Sequence, residues 1–222
     1  MKIIRYLILV IVACQTFLVS CSQTAKRPFY DQIQEYKEAD QREFPAKNTI
    51  VFVGSSSIRL WKDLQSDFPN HTVINRGFGG SGLDHAIMYA DDIIVPYQPK
   101  QVVIYSGEND IAGGKVTSGD IIYRFKRLFN KIRKELPDAN IVYISMKPSP
   151  SRTQFLPVMK ESNQLIKDFL AKDKNTKYVD VYSLMLDSKG NPRPELFVGD
   201  QLHMNKKGYA IWKEAVEPVL MK

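Results

Sequence analysis

Apolar positions along this chain follow two rhythms. Five short runs are nearly continuous in apolar, often β-branched residues: Thr49–Val53, Thr72–Asn75, Gln101–Tyr105, Asn140–Ser145 and Tyr178–Tyr182. Runs of this length without polar alternation predict strands buried on both faces. The segments between them repeat with the period of a helix. Phe29–Arg42 places Phe29, Ile33 and Tyr36 on one face, and Leu83–Val95 reads as a second helix. Residues 118–136 form the clearest amphipathic stretch: Ile121, Ile122, Phe125, Leu128, Phe129, Ile132 and Leu136 share a face, with Arg124, Arg127, Lys131 and Lys134 off it. A Pro/Ser-rich loop, Lys147–Arg152, precedes a helix running to about Lys172. Asn163 interrupts its stripe of Leu156, Met159, Ile166 and Leu170, which predicts a hydrogen bond to a neighbouring loop. Asn205 is placed to cap a last helix carrying Tyr209, Trp212, Val216 and Val219.

Strands that alternate with helices imply a parallel sheet covered on both faces. Five of them predict a flavodoxin-like three-layer α/β/α sandwich with a five-stranded parallel sheet. No repeat or internal linker divides the chain. Its 222 residues, 44% of them hydrophobic, are enough for one domain, expected over residues 29–222.

The first residues follow a different logic. Lys2 and Arg5 precede an almost wholly apolar stretch from Ile3 to Phe17, as in a processing signal. The following Leu18-Val19-Ser20-Cys21 resembles the bacterial lipobox. That resemblance implies a signal peptide over residues 1–20, a lipid on Cys21 that attaches the protein to a membrane, and a tether over residues 21–28. Ser22–Ala25 carries no acidic residue, so attachment is expected to face the periplasm. Cleavage removes Lys2, Arg5 and Cys14, and the formal charge falls from +7 to +5. Cys21 is then the only cysteine, which excludes a disulfide, a thiol nucleophile and a cysteine-held metal. The histidines are not spaced as ligands, and neither metal nor cofactor is expected. No Arg/Lys run is interleaved with aromatics, which argues against nucleic acid as a partner.

The polar clusters matter because of where they stand. Ser55–Ser57 follow the first strand, Gly77, Gly79 and Gly80 the second, and Gly107-Glu108-Asn109-Asp110 the third. Asp200-Gln-Leu-His203 lies after the fifth strand and before the last helix. In open parallel sheets, ligands bind outside the carboxyl ends of the strands. The four clusters are therefore expected to meet at one sheet edge. Together they supply a nucleophile, a base, a carboxylate and oxyanion donors, an inventory suited to acyl transfer through a serine.

Gly54-Ser55-Ser56-Ser57, Asn75-Arg-Gly-Phe-Gly-Gly80, Gly107-Glu-Asn109-Asp110 and Asp200-Gln-Leu-His203 resemble, in order and spacing, the four conserved blocks of the SGNH (GDSL-type) hydrolases. The resemblance implies an esterase with Ser56 as nucleophile, His203 as base and Asp200 as the carboxylate that orients it. It further implies an oxyanion hole made by the Ser56 and Gly80 backbone N–H groups and the Asn109 side chain. The family's block I aspartate is Ser55 here, so three adjacent hydroxyls compete for the nucleophile's role. The family includes carbohydrate O-acetylesterases, lysophospholipases, thioesterases and arylesterases. With no long apolar lid insertion, a short acyl group such as acetyl is expected, on a small-molecule or carbohydrate ester. Phe78, beside Gly80, is expected to wall the acyl site. Arg152, in a loop stiffened by two prolines, is expected to meet a polar alcohol such as a sugar.

Other readings compete. Gly77-Phe-Gly79-Gly80-Ser-Gly82 matches the G-x-G-x-x-G of dinucleotide-binding folds, although it follows the second strand rather than the first. A flavin-binding flavodoxin would use the serine loop to cradle phosphate. A lysophospholipase or thioesterase would share the blocks and differ in its acyl pocket. A non-catalytic binding lipoprotein would leave the set of blocks unexplained.

Overall fold

The computed structural model describes residues 26–222; the signal peptide and Cys21 lie outside the described residues. Five strands form one sheet: β1 (Ile50–Gly54), β2 (Val73–Gly77), β3 (Gln101–Tyr105), β4 (Asn140–Ile144) and β5 (Thr176–Val179). Their order is β2-β1-β3-β4-β5 and every pairing is parallel. The chain thus steps to one side of β1 to make β2, then returns past it to make β3. This reversal sets the topological switch point of the sheet next to β1.

The helices are α1 (Tyr30–Arg42), α2 (Ser56–Arg59), α3 (Leu64–Asp67), α4 (Leu83–Ile93), α5 (Glu108–Ala112), α6 (Ser118–Glu135), α7 (Leu156–Leu170), α8 (Val181–Leu184) and α9 (Lys206–Val216). Strand side chains alternate between two cores. Val53, Val102, Ile104, Ile141 and Tyr143 pack with α1, α4, α6 and α7. Ile50, Phe52, Val103, Tyr105, Val142 and Ile144 pack with α2, α3, α8 and α9. On the second face Trp212 of α9 packs edge-on against Trp61 and at a tilt against Tyr105, which draws the last helix onto β3 and the segment after α2. The three-layer α/β/α sandwich with a five-stranded parallel sheet is therefore the observed fold.

The long helices follow the expected periodicity, and Asn163 does bond a loop: its side chain accepts from the Met146 N–H at 2.9 Å and donates to the Met146 carbonyl at 3.0 Å. Several boundaries differ. The second strand runs on to Gly77 rather than ending at Asn75. The fifth begins two residues and ends three residues earlier than expected, because the Asp180 carboxylate accepts the Ser183 N–H and starts α8 where the apolar run continues. α4 stops at Ile93 and gives way to a 3₁₀ turn, Val95–Tyr97, with Pro96 inside it. Val219 is not in the last helix but in a separate 3₁₀ turn that contains Pro218. Among the described residues no helix is long and apolar enough to cross a membrane.

Candidate active site

β1 ends in Gly54, whose positive φ of 152° and contact with the Tyr105 carbonyl leave no room for a side chain: an added Cβ would lie 1.9 Å from that oxygen. The chain turns sharply there, and Ser55 caps α2 from an extended conformation. Ser56 is the first residue of α2, so its N–H has no intrahelical acceptor. Ser55 and Ser57 are buried. Of the three hydroxyls it is Ser56 Oγ that lies 2.9 Å from His203 Nε2.

His203 arrives from the other end of the chain on a tight hairpin. Phe197 pairs with Met204, the Val198 N–H donates to the His203 carbonyl at 2.8 Å, and Gln201 turns with a φ of 56°. Asn205 then caps α9, accepting from the Lys207 and Gly208 N–H groups while its amide donates to the Glu195 and Phe197 carbonyls. Asp200 sits at the tip. Its Oδ1 accepts the Leu202 and His203 N–H groups, both at 2.9 Å, and its Oδ2 lies 2.6 Å from His203 Nδ1. An ionised carboxylate only accepts, so Nδ1 carries the proton and Nε2 is left to accept from the Ser56 hydroxyl. Partial burial works against the charge of Asp200, but the His203 and Leu202 N–H groups and the imidazole outweigh it and leave its pKa at about 2.

The glycine loop stands on the other side of Ser56. Its outermost supports come from α1: Gln32 accepts the Gly79 N–H at 2.9 Å, and the Tyr36 hydroxyl donates to the Gly77 carbonyl. Gly80 takes a left-handed φ of 81°, and among the described residues its N–H has no partner. Asn109, the second residue of α5, donates from Nδ2 to the Ser81 carbonyl at 3.0 Å. That uses one of its two amide protons.

Glu108 and Lys147 were not anticipated. Glu108 is buried and receives two contacts from Lys147 Nζ at 3.0 and 2.9 Å, one from Arg152 Nη1 at 3.2 Å, and the hydroxyl proton of Tyr105. Burial disfavours its charge, yet the Lys147 and Arg152 cations with the tyrosine hydroxyl outweigh it and hold the carboxyl below the usual range. The only hint in the sequence was a glutamate wedged between Gly107 and Asn109. Arg152 uses Nη2 to donate to Asn109 Oδ1 at 2.9 Å. The loop that carries it is fixed to the histidine hairpin, because the Ser151 N–H and hydroxyl both donate to the Gln201 carbonyl.

Phe78 does not wall the site. Its side chain is fully buried, packed edge-on against Phe29 and Tyr89. Its N–H bonds the Gly54 carbonyl, extending the β1–β2 ladder and turning the ring into the core. The glycine segment does not serve as a dinucleotide fingerprint either. The N-terminus of α4, where a pyrophosphate would bind, is filled by Asp110, whose Oδ2 accepts the Leu83 N–H at 2.9 Å. A Cβ on Gly82 would lie 2.4 Å from that oxygen.

This arrangement brings a hydroxyl, an imidazole and a carboxylate into one hydrogen-bonded line at the sheet edge. Residues 52–211 match the GDSL-like Lipase/Acylhydrolase family, and the chain belongs to that family of acylhydrolases. Solved structures share the fold at low identity. A protein from Streptococcus pneumonia named for platelet activating factor aligns with a TM-score of 0.74 at 20% identity, over 86% of this chain and 92% of that one. A GDSL-like lipase from Bacteroides thetaiotaomicron gives 0.68 at 16% identity, over 84% and 95%. A variant of an acetyl xylan esterase from Geobacillus stearothermophilus gives 0.63 at 15% identity, over 80% and 99%. None of the curated proteins matches the chain.

Proposed function

We propose that this acylhydrolase cleaves short-chain carboxylic esters, acetyl esters first among them, with Ser56 as nucleophile, His203 as base and Asp200 as the group that orients it. The observation that carries this reading is the unbroken line Ser56 Oγ–His203 Nε2–Asp200 Oδ2, with separations of 2.9 and 2.6 Å. The Ser56 oxygen attacks the ester carbonyl carbon as its proton passes to His203 Nε2. The carbonyl oxygen becomes an anion, which the N–H groups of Ser56 and Gly80 and the second amide proton of Asn109 stabilise. The bond to the alcohol then breaks, and His203 returns the proton to the leaving oxygen. Water enters, gives a proton to His203 and attacks the acyl-serine, releasing the acid and restoring the hydroxyl.

A short acyl group is supported by the fixed loop beside the site. Lys147–Arg152 holds two prolines, and its Ser151 is bonded to Gln201. The likeness to an acetyl xylan esterase agrees with an acetylated carbohydrate as substrate. Rates on aryl esters of graded acyl length test this, with Ser56→Ala as control. Acetyl and propionyl esters should be cleaved fastest, and rates that climb steadily to octanoyl would point to a lysophospholipase. Attachment to the cell envelope through a lipid on Cys21 belongs to the same proposal, supported by Leu18–Cys21. Full-length protein should sediment with membranes and Cys21→Ser should not.

A further inference from the structure

We propose that Arg152 is a positioning residue of the oxyanion hole, acting through Asn109, and that it takes its own place from the buried Glu108–Lys147 pair. The inference rests on the oxyanion role of Asn109 proposed above. An asparagine amide can be turned over with little change of shape, and only its hydrogen bonds decide which end faces the reacting carbonyl. Here two partners decide it. Arg152 carries donors and no acceptor, so it can face only Oδ1, and the Ser81 carbonyl can face only Nδ2. The amide plane is held at both ends, and one Nδ2 proton remains free.

One guanidinium serves two neighbouring residues of α5. Nη1 pairs with Glu108 Oε1 at 3.2 Å while Nη2 donates to Asn109 Oδ1 at 2.9 Å. This is the planar fork that lysine lacks. Glu108 is in turn fixed by Lys147 and by Tyr105, so the arginine cannot follow solvent. A cation on Oδ1 also draws electron density from the amide and makes the free Nδ2 proton a better donor to a developing anion. Arg152 is only 15% exposed, and these two bonds account for its approach to the site from the loop after β4.

The test is a double-mutant cycle on an aryl acetate. Asn109→Ala should lower kcat by about 100-fold or more, as loss of an oxyanion donor does. Arg152→Met should lower kcat by roughly 10- to 100-fold with KM nearly unchanged, the range expected for a charge-assisted hydrogen bond. Arg152→Lys should recover little. In the Asn109→Ala background, Arg152→Met should cost no further activity, because the amide through which it acts is gone. Additive losses, or a rise in KM with kcat kept, would overturn the proposal and return Arg152 to a substrate contact. Should Arg152→Met lower thermal stability, the cycle is repeated with Arg152→Lys, which keeps the charge next to Glu108; additivity there overturns it equally. An active Asn109→Ala enzyme would instead refute the underlying oxyanion assignment, a result the Ser56→Ala control leaves separate.

Discussion

The two sides of the site are built in opposite ways. The Asp200–His203 hairpin is a surface structure: its side chains are 47% and 29% exposed, and most of its bonds lie within a dozen residues, apart from the tie of Ser151 to the Gln201 carbonyl. The proposed oxyanion side rests on Glu108 and Lys147, 4% and 1% exposed, and draws on β3, α5 and the loop after β4. On the proposed mechanism the contrast separates two needs. The imidazole exchanges protons with substrate and water, so it stays accessible. A donor aimed at a developing charge works best when already fixed and dry, so its supports are buried. Damage to the first side should therefore appear mainly in turnover, while damage to the second should appear strongly in both turnover and stability.

The largest effect sits on the exposed side. Ser56→Ala and His203→Ala should each lower kcat by about a millionfold, Asp200→Ala by about 10⁴-fold, and the triple variant little further. Thermal melting should barely move for Ser56→Ala and His203→Ala and should fall modestly for Asp200→Ala, which also removes the acceptor of the Leu202 and His203 N–H groups; steady-state kinetics with melting curves checks both. Asp200, with its pKa at about 2, should stay ionised from neutral into mildly acidic pH, so its hold on the imidazole should not weaken there.

The buried side should break differently. Lys147→Met leaves Glu108 charged and half-paired, a change that costs about 3–5 kcal/mol of stability. Urea unfolding measures it. The same pair gives an acid sensitivity with a definite sign. Glu108 has a folded pKa below its unfolded value of about 4.3, so its contribution is present above that pH and is lost as pH falls through the folded value. Glu108→Gln should be less stable at neutral pH and should converge on the parent in strong acid. Parallel curves for the two proteins would remove Glu108 from the account.

The smallest effect is assigned to α1. Gln32→Ala frees the Gly79 N–H and should cost about 1 kcal/mol, with a few-fold loss of kcat through the adjoining Gly80. Unchanged kcat would mean that the glycine loop keeps its shape without α1.

These two sides also differ in how well they could be read from the chain. Asp200 and His203 stand three residues apart, and each strand end carries its own cluster, so a convergent edge followed from topology alone. The five strands were legible because each is a run of buried apolar residues, and the long helices because they show several periods. One-turn helices such as α2, α5 and α8 are shorter than any period, and Asp180 could end β5 without breaking the apolar pattern. The Glu108–Lys147–Arg152 cluster was illegible for another reason. Its members come from two segments about 40 positions apart, and a lone lysine after a strand looks like any solvated residue. Phe78 misled because it lies only two residues from Gly80: its N–H continues the β1–β2 ladder and its ring enters the core, and the chain leaves the extended conformation only afterwards, with Gly80 at a left-handed φ of 81°.

The bond between Ser56 and His203 spans 147 positions and joins the start of α2, just past the first strand, to the threshold of the last helix. Closing so long a loop requires most of the chain to be in place, since the ordering cost is met only when the sheet and both helical layers have formed. Activity should consequently be among the last properties to return on refolding, after helical circular dichroism and after burial of Trp61 and Trp212. On the proposed mechanism, the nascent chain would carry its serine for most of its length as an inert hydroxyl, which would become a nucleophile only once residue 203 has emerged.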